Sequence, residues 1–290
     1  MQKGGSMLNA RYGLNLLVYT GAFSADELGL IRKAADMGFD GVEILFADLG
    51  ALDAQATRAA LEASNMGMTA CCVMTEDANP CSQDAGVRKA AVDRLKEMID
   101  LAAEMGGEAI AGPLYSPVRH LTGRARTDDE WKYCTDVLAA GAEHADKMDI
   151  QMAIEPLNRF ETYVINTVAD AVRMCREVGS DRLKVQIDTF HANIEEKDTA
   201  AAIRQAGTCL GHFHASENDR GVPGTGQVRW DGAFAALSDV DYSGWITIES
   251  FAAGIVDLCA AACIWRPIYE TADGLAQDGL AFLKRTAGAV

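Results

Sequence analysis

Four side chains of metal-ligand type each close a short apolar run. Glu155 follows the run at 150–154, Asp188 follows Val185-Gln186-Ile187, His214 follows Gly211-His212-Phe213, and Glu249 follows Trp245-Ile246-Thr247-Ile248. Three carboxylates brought together repel one another unless positive charge lies between them, and a divalent cation supplies it. Three oxygen donors and one imidazole suit Mn²⁺, Mg²⁺ or Co²⁺ better than metals that favour thiolate. An octahedral ion with four protein ligands keeps about two positions open, which matches the vicinal carbonyl and hydroxyl of a ketose. Glu161, His191 and Arg220 lie in the stretches that follow Glu155, Asp188 and His214. Each taken alone reads as a surface or loop-fixing residue, but together they could hold the hydroxyls of a sugar.

For four distant residues to share one site, the apolar runs must be parallel strands whose C-terminal ends meet on one rim, where barrels of this kind carry their active sites. Strands are expected at 12–18, 41–46 (carrying Glu43), 68–73 and 109–111, then in the runs that end at Glu155, Asp188, His214 and Glu249. Helices are expected between them. Ser24 with Glu27 and Thr127 with Glu130 have capping-box spacing. Asp53 opens a helix closed by Gly67, and Gly38 closes the one before it. Val87, Ala91, Leu95, Met98, Ala102 and Met105 form one helical stripe. Further helices are read at 167–178, 197–206 and 230–237, and a last one at 258–284 is broken at Pro267. This rhythm predicts an α/β fold, a single (β/α)8 TIM barrel over residues 7–290, after a tail or added remnant at 1–6. A doubly wound open sheet would want G-x-G-x-x-G after the first strand, and Val18-Tyr19-Thr20-Gly21 does not supply it. In the barrel, Ala153, Gln186, His212 and Thr247 would face inward one layer below the four rim residues, with His212 below His214 either as a hydrogen-bond donor behind the site or, the preferred reading, as a packed core histidine. The irregular stretch 112–126 reads as a working loop.

Composition narrows the partners. The chain has 290 residues, 49% of them hydrophobic, and a formal net charge of −16. An acidic surface repels phosphate backbones, which argues against nucleic acid as a partner. No stretch is long and apolar enough to span a bilayer. The eight cysteines form no C-x-x-C pair and mostly sit in apolar segments, as expected of reduced thiols in a cytoplasmic protein. An acidic, apolar-rich chain of this kind is expected to associate as a homodimer or homotetramer.

Several segments resemble the ketose 3-epimerases, the group of D-tagatose, D-allulose (D-psicose) and L-ribulose 3-epimerases among the xylose-isomerase-like barrels. They are Ile154-Glu155-Pro156-Leu157-Asn158-Arg159-Phe160-Glu161, Val185 to Glu196, Gly211-His212-Phe213-His214 and Ile248-Glu249-Ser250-Phe251. The resemblance implies that Glu155, Asp188, His214 and Glu249 hold one divalent ion, Mn²⁺ or a similar metal. It implies that Glu155 and Glu249 are also the acid/base pair, and that Glu161, His191 and Arg220 contact the sugar. It does not extend residue by residue to 71–84 or 112–120, which are expected to help shape the pocket for the distal sugar carbons. The implied reaction is epimerisation at C3 of a free ketose through an enediolate, with one glutamate removing a proton and the other returning one to the opposite face.

Other chemistries compete for the same framework. An aldose–ketose isomerase would move a proton between C1 and C2, and a keto-inositol dehydratase would eliminate water. A barrel-type metal-dependent endonuclease wants more histidines than the five present and a basic groove. A sugar-binding barrel without catalysis leaves the two flanking glutamates unexplained.

Overall fold

The computed structural model describes residues 8–289, so the tail expected at 1–6 lies outside the described residues. Eight parallel strands close into a barrel in chain order. They are β1 (Arg11–Asn15), β2 (Gly41–Phe46), β3 (Gly67–Cys72), β4 (Ala109–Gly112), β5 (Gln151–Ile154), β6 (Leu183–Asp188), β7 (Leu210–Ala215) and β8 (Trp245–Ile248). Around them lie α1 (Gly29–Met37), α2 (Ala54–Ser64), α3 (Ala85–Met105), α4 (Asp128–Met148), α5 (Val168–Val178), α6 (Thr189–Glu195), α7 (Thr199–Ala206), α8 (Trp230–Asp239), α9 (Val256–Ala262) and α10 (Ala272–Ala287). The predicted (β/α)8 barrel is therefore the observed fold. Among the described residues no helix is long and apolar enough to cross a membrane.

Local sequence explains most boundaries. Both capping boxes form, at Ser24–Glu27 and at Thr127–Glu130. The stripe on α3 buries Ala91, Leu95, Met98, Ala102 and Met105 against the strands. Pro267 falls between α9 and α10, where its missing N–H interrupts a helix.

Four boundaries differ from the sequence reading. β1 stops at Asn15, because the Asn15 side chain accepts from Leu17 N at 3.0 Å and turns the chain into a 3-10 helix over Leu16–Val18. Asn65, in the left-handed region at φ 51°, ends α2 in place of Gly67. Gly67 instead starts β3, where an added Cβ would lie 2.7 Å from the Trp245 ring. Finally, α6 replaces an expected loop, because the Asp188 side chain caps it by accepting from Phe190 N.

The helices bury the outer face of the barrel, with Ile44, Met68, Leu95, Met98 and Ile99 all fully shielded. The inner face is polar toward its C-terminal end. Alternation along β2 and β7 turns Glu43, His212 and His214 inward, and all three are inaccessible to solvent.

Candidate active site

Each rim residue is placed by the end of a strand. Glu155 N continues the ladder by donating to Gly112 O at 3.0 Å, and Pro156 then ends the pairing. Gly112 has φ 129° and packs against the Cys72 carbonyl, so no other residue fits there. Asp188 is the last residue of β6 and divides its oxygens. Oδ1 caps α6, while Oδ2 faces the site. His214 lies on β7, and Glu249 directly follows β8.

These four residues converge. One ligand atom from each of Glu155, Asp188, His214 and Glu249 lies within 4.8 Å of all the others, and all four residues are buried. Metal–oxygen bonds of roughly 2.0–2.6 Å put opposite ligands of an octahedral ion about 4–5 Å apart, so this spacing fits one ion. Glu155 Oε1 is buried without a hydrogen-bond partner among the described residues, as a donor atom kept for a cation would be.

Arg220 reaches the same cluster. Its Nη1 donates to Asp188 Oδ2 at 2.6 Å, to Glu249 Oε2 at 2.7 Å and to Ser216 Oγ at 2.8 Å. Its guanidinium carbon lies 3.9 Å from the Phe190 ring centroid and 5.0 Å from that of Phe251. The Arg220 backbone sits in the left-handed region at φ 65°, and Ser250 Oγ donates to its carbonyl at 2.6 Å. His191, one turn into α6, lies with Nε2 3.9 Å from both Glu155 Oε1 and Asp188 Oδ2. Its Nδ1 accepts the backbone N–H of Asn158 at 3.0 Å, so in the neutral ring Nε2 carries the proton and faces the cluster. Glu161, largely buried, accepts from Asn158 Nδ2 at 2.8 Å.

The electrostatics set the two glutamates apart. Burial, and then the Glu249 carboxylate, push Glu155 well above the usual carboxylate range, which His214 and Arg220 only partly oppose. Burial also works to raise Glu249, yet His214 and Arg220 hold it down at about 2. Burial drives His191 down to about 3, so the ring is neutral near pH 7.

The seven residues singled out in the sequence thus come together at one rim, where Glu155, Glu161, His191, Arg220 and Glu249 line a cavity of about 370 Å³. Its apolar lining includes Leu45, Val73, Met74, Val118 and Phe251, and Val73, Met74 and Val118 lie in the stretches 71–84 and 112–120 that the sequence reading expected to shape the pocket without naming residues. Sequence reasoning missed the partners of Glu43, a lone acid in an apolar strand, whose carboxylate lies 2.8 Å from His212 Nε2 and 2.7 Å from His214 Nε2. His212 is therefore a buried histidine paired with an acid, T-stacked on His214 at 5.0 Å between ring centroids.

Comparison with known proteins identifies the family. Residues 31–286 match the family described as Xylose isomerase-like TIM barrel. An L-ribulose 3-epimerase of Mesorhizobium japonicum is 32% identical over 277 residues, covering 94% of this chain and 93% of that one. A D-psicose 3-epimerase of Agrobacterium fabrum is 32% identical over 268 residues, covering 91% and 92%. The solved structure of D-allulose 3-epimerase from Methylomonas sp. in complex with D-allulose is similar at TM-score 0.92 and 30% identity, over 96% of this chain and 97% of that one. This chain belongs to the ketose 3-epimerases, an isomerase family within the xylose isomerase-like TIM barrels.

Proposed function

We propose that this protein catalyses reversible epimerisation at C3 of a free, unphosphorylated ketose of the D-tagatose, D-allulose/D-fructose or L-ribulose type. The observation that carries the proposal is the pair Glu155 and Glu249, both buried at the rim inside a four-ligand cluster. Glu155, Asp188, His214 and Glu249 would hold one divalent ion, with Mn²⁺ preferred and Mg²⁺ or Co²⁺ as alternatives. When bound, the ion supplies Lewis-acid polarisation of the ketone, which acidifies the neighbouring C–H.

The chain's own residues do the rest. Glu249, kept as a carboxylate between His214 and Arg220, takes the C3 proton. Glu155, the second buried carboxylate of the cluster, returns one to the opposite face, and the two exchange roles in the reverse direction. Arg220 and the Nε2–H of His191 donate to substrate oxygens, and Glu161 accepts from a hydroxyl. A neutral substrate is favoured because the stretch 250–254 after β8 lacks the Gly-rich helix N-terminus of a phosphate cradle. We further infer a cytoplasmic homodimer or homotetramer, and sedimentation that finds only monomer at micromolar protein would remove that part.

Reaction in D₂O tests the chemistry. Epimerisation places deuterium at C3 of the product. Label confined to C1 or C2 would make the enzyme an aldose–ketose isomerase, and loss of water from the substrate would make it a dehydratase.

A further inference from the structure

Glu43 carries a carboxylate into the middle of the barrel, where nothing in the proposed chemistry uses it. Its side chain is fully buried, and four donors surround it. Asn15 Nδ2 donates to Oε1 at 2.8 Å, and Thr69 Oγ1 donates to Oε2 at 2.8 Å. His212 Nε2 lies 2.8 Å from Oε2 and His214 Nε2 lies 2.7 Å from Oε1. The two imidazole contacts run off the ring N–H direction, so they are close charge–dipole contacts of the buried carboxylate and not aligned hydrogen bonds. The donors come from β1, β3 and β7, so three strands aim at one carboxylate.

His214 is the link to the rim. Its other nitrogen, Nδ1, faces the opposite way, 3.4 Å from Glu249 Oε1 and 3.0 Å from Gln186 Nε2. An imidazole can offer a lone pair on one nitrogen only while the proton sits on the other. An acceptor at Nε2 therefore dictates a lone pair at Nδ1. The Asn15 amide is fixed as a donor because its Oδ1 already accepts from Leu17 N, so it holds Glu43 Oε1 as an acceptor, and the Thr69 hydroxyl donates to Oε2.

We propose that Glu43 is a positioning residue for the metal centre: it fixes the ring orientation and the Nε2–H tautomer of His214, so that Nδ1 is presented to the cation. This rests on the reading of Glu155, Asp188, His214 and Glu249 as ligands. Asn15 and Thr69 hold Glu43, and His212 shares its charge.

Glu43→Gln is the informative variant. It keeps the shape but removes the negative charge beside the two imidazoles, so the proton on Nε2 of His214 is held there less firmly. If His214 changes tautomer, its Nδ1 gains a proton and its lone pair is lost. Outer partners of ligating histidines typically contribute 10- to 100-fold to metal affinity. Calorimetric titration with Mn²⁺ is expected to give roughly 10- to 100-fold weaker binding in E43Q than in the wild type. Equal Mn²⁺ affinity in a folded E43Q would overturn the role of Glu43 while leaving the metal centre intact. A wild type that binds no divalent ion would remove the metal reading and this proposal with it. Nitrogen-15 spectra of the Mg²⁺-loaded wild type decide the point even if E43Q does not fold. His214 with a protonated Nε2 and an unprotonated Nδ1 supports the assignment, and the reverse tautomer refutes it.

Discussion

The two ends of the barrel use the same kinds of side chain for opposite ends. At the N-terminal end, Arg11 donates to both oxygens of Glu108 at 2.6 Å and stacks 4.1 Å from the Trp245 ring centroid. At the C-terminal end, Arg220 stacks on Phe190 and Phe251 and reaches Asp188 and Glu249. Below, one carboxylate meets one guanidinium and the charge is settled. Above, three buried carboxylates and one arginine leave a Glu155 oxygen without a partner. The lower arrangement closes the barrel, whereas the upper one leaves a charge imbalance that a cation and a substrate can relieve. Conservation of stability below and of chemistry above is the division this fold permits.

The largest expected effect breaks the upper end. Glu155→Gln and Glu249→Gln should each cut turnover by about 10²–10⁴, since each removes one of two proton carriers. Stability should move the other way. Burial and Glu249 raise the Glu155 pKa, so the ionised form weakens the metal-free fold above the ordinary carboxylate range. Metal-free Glu155→Gln should then melt at or above metal-free wild type at pH 7. Chelation should abolish wild-type activity and lower its melting temperature, because a ligand that binds the native state stabilises it. Calorimetry with and without Mn²⁺ checks this, and a metal-free Glu155→Gln that melts well below wild type contradicts it.

The next effect sharpens the lower end. The Trp245 ring fills the space beside Gly41 and Gly67, and a Cβ at Gly67 would lie 2.7 Å from that ring. Gly67→Ala should cost about 1–3 kcal/mol through overpacking. Turnover should stay within about twofold, because nothing at the rim moves. Urea unfolding and initial rates measured on one preparation test the separation. A large fall in turnover at unchanged stability would mean that the two ends are coupled.

Legibility in the sequence follows the same divide between local and distant causes. Glu155, Asp188, His214 and Glu249 could be read because each directly follows or ends an apolar run, a signal held within a few residues. The capping boxes and the break at Pro267 are equally local. The network of Glu43 was not legible, since its donors come from β1, β3 and β7 and only barrel closure brings them together. The apolar lining from Val73, Met74 and Val118 was legible only as the stretches 71–84 and 112–120 and not residue by residue, because loop residues carry no period. The end of β1 was overrun because Leu16 to Val18 are as apolar as a strand, and the competing side-chain hydrogen bond of Asn15 decides the matter.

The smallest effect asks whether position or pairing separates the two ends. Glu130 lies at the start of α4, on the C-terminal side of the barrel, yet it is paired as fully as any carboxylate below. It accepts from Arg124 at 2.7 and 2.9 Å, from Thr127 N at 2.7 Å and from Tyr163 Oη at 3.0 Å. The Arg124 hydrogen bond holds its carboxyl at about 2, against the opposing effect of burial. A carboxylate with a lowered folded pKa contributes stability that is complete above its unfolded value of 4.5 and is lost as pH falls toward about 2. If pairing is what matters, Glu130→Gln should cost about 1–2 kcal/mol at pH 7, with exposed Arg124 screened by solvent, and should leave turnover near wild type. The gap in urea midpoint between the two proteins should narrow steadily as pH falls from 5 to 3, an interval inside the window set by the two pKa values. A gap that stays constant across that range would assign the loss to the capping geometry of α4 and not to the charge of Glu130.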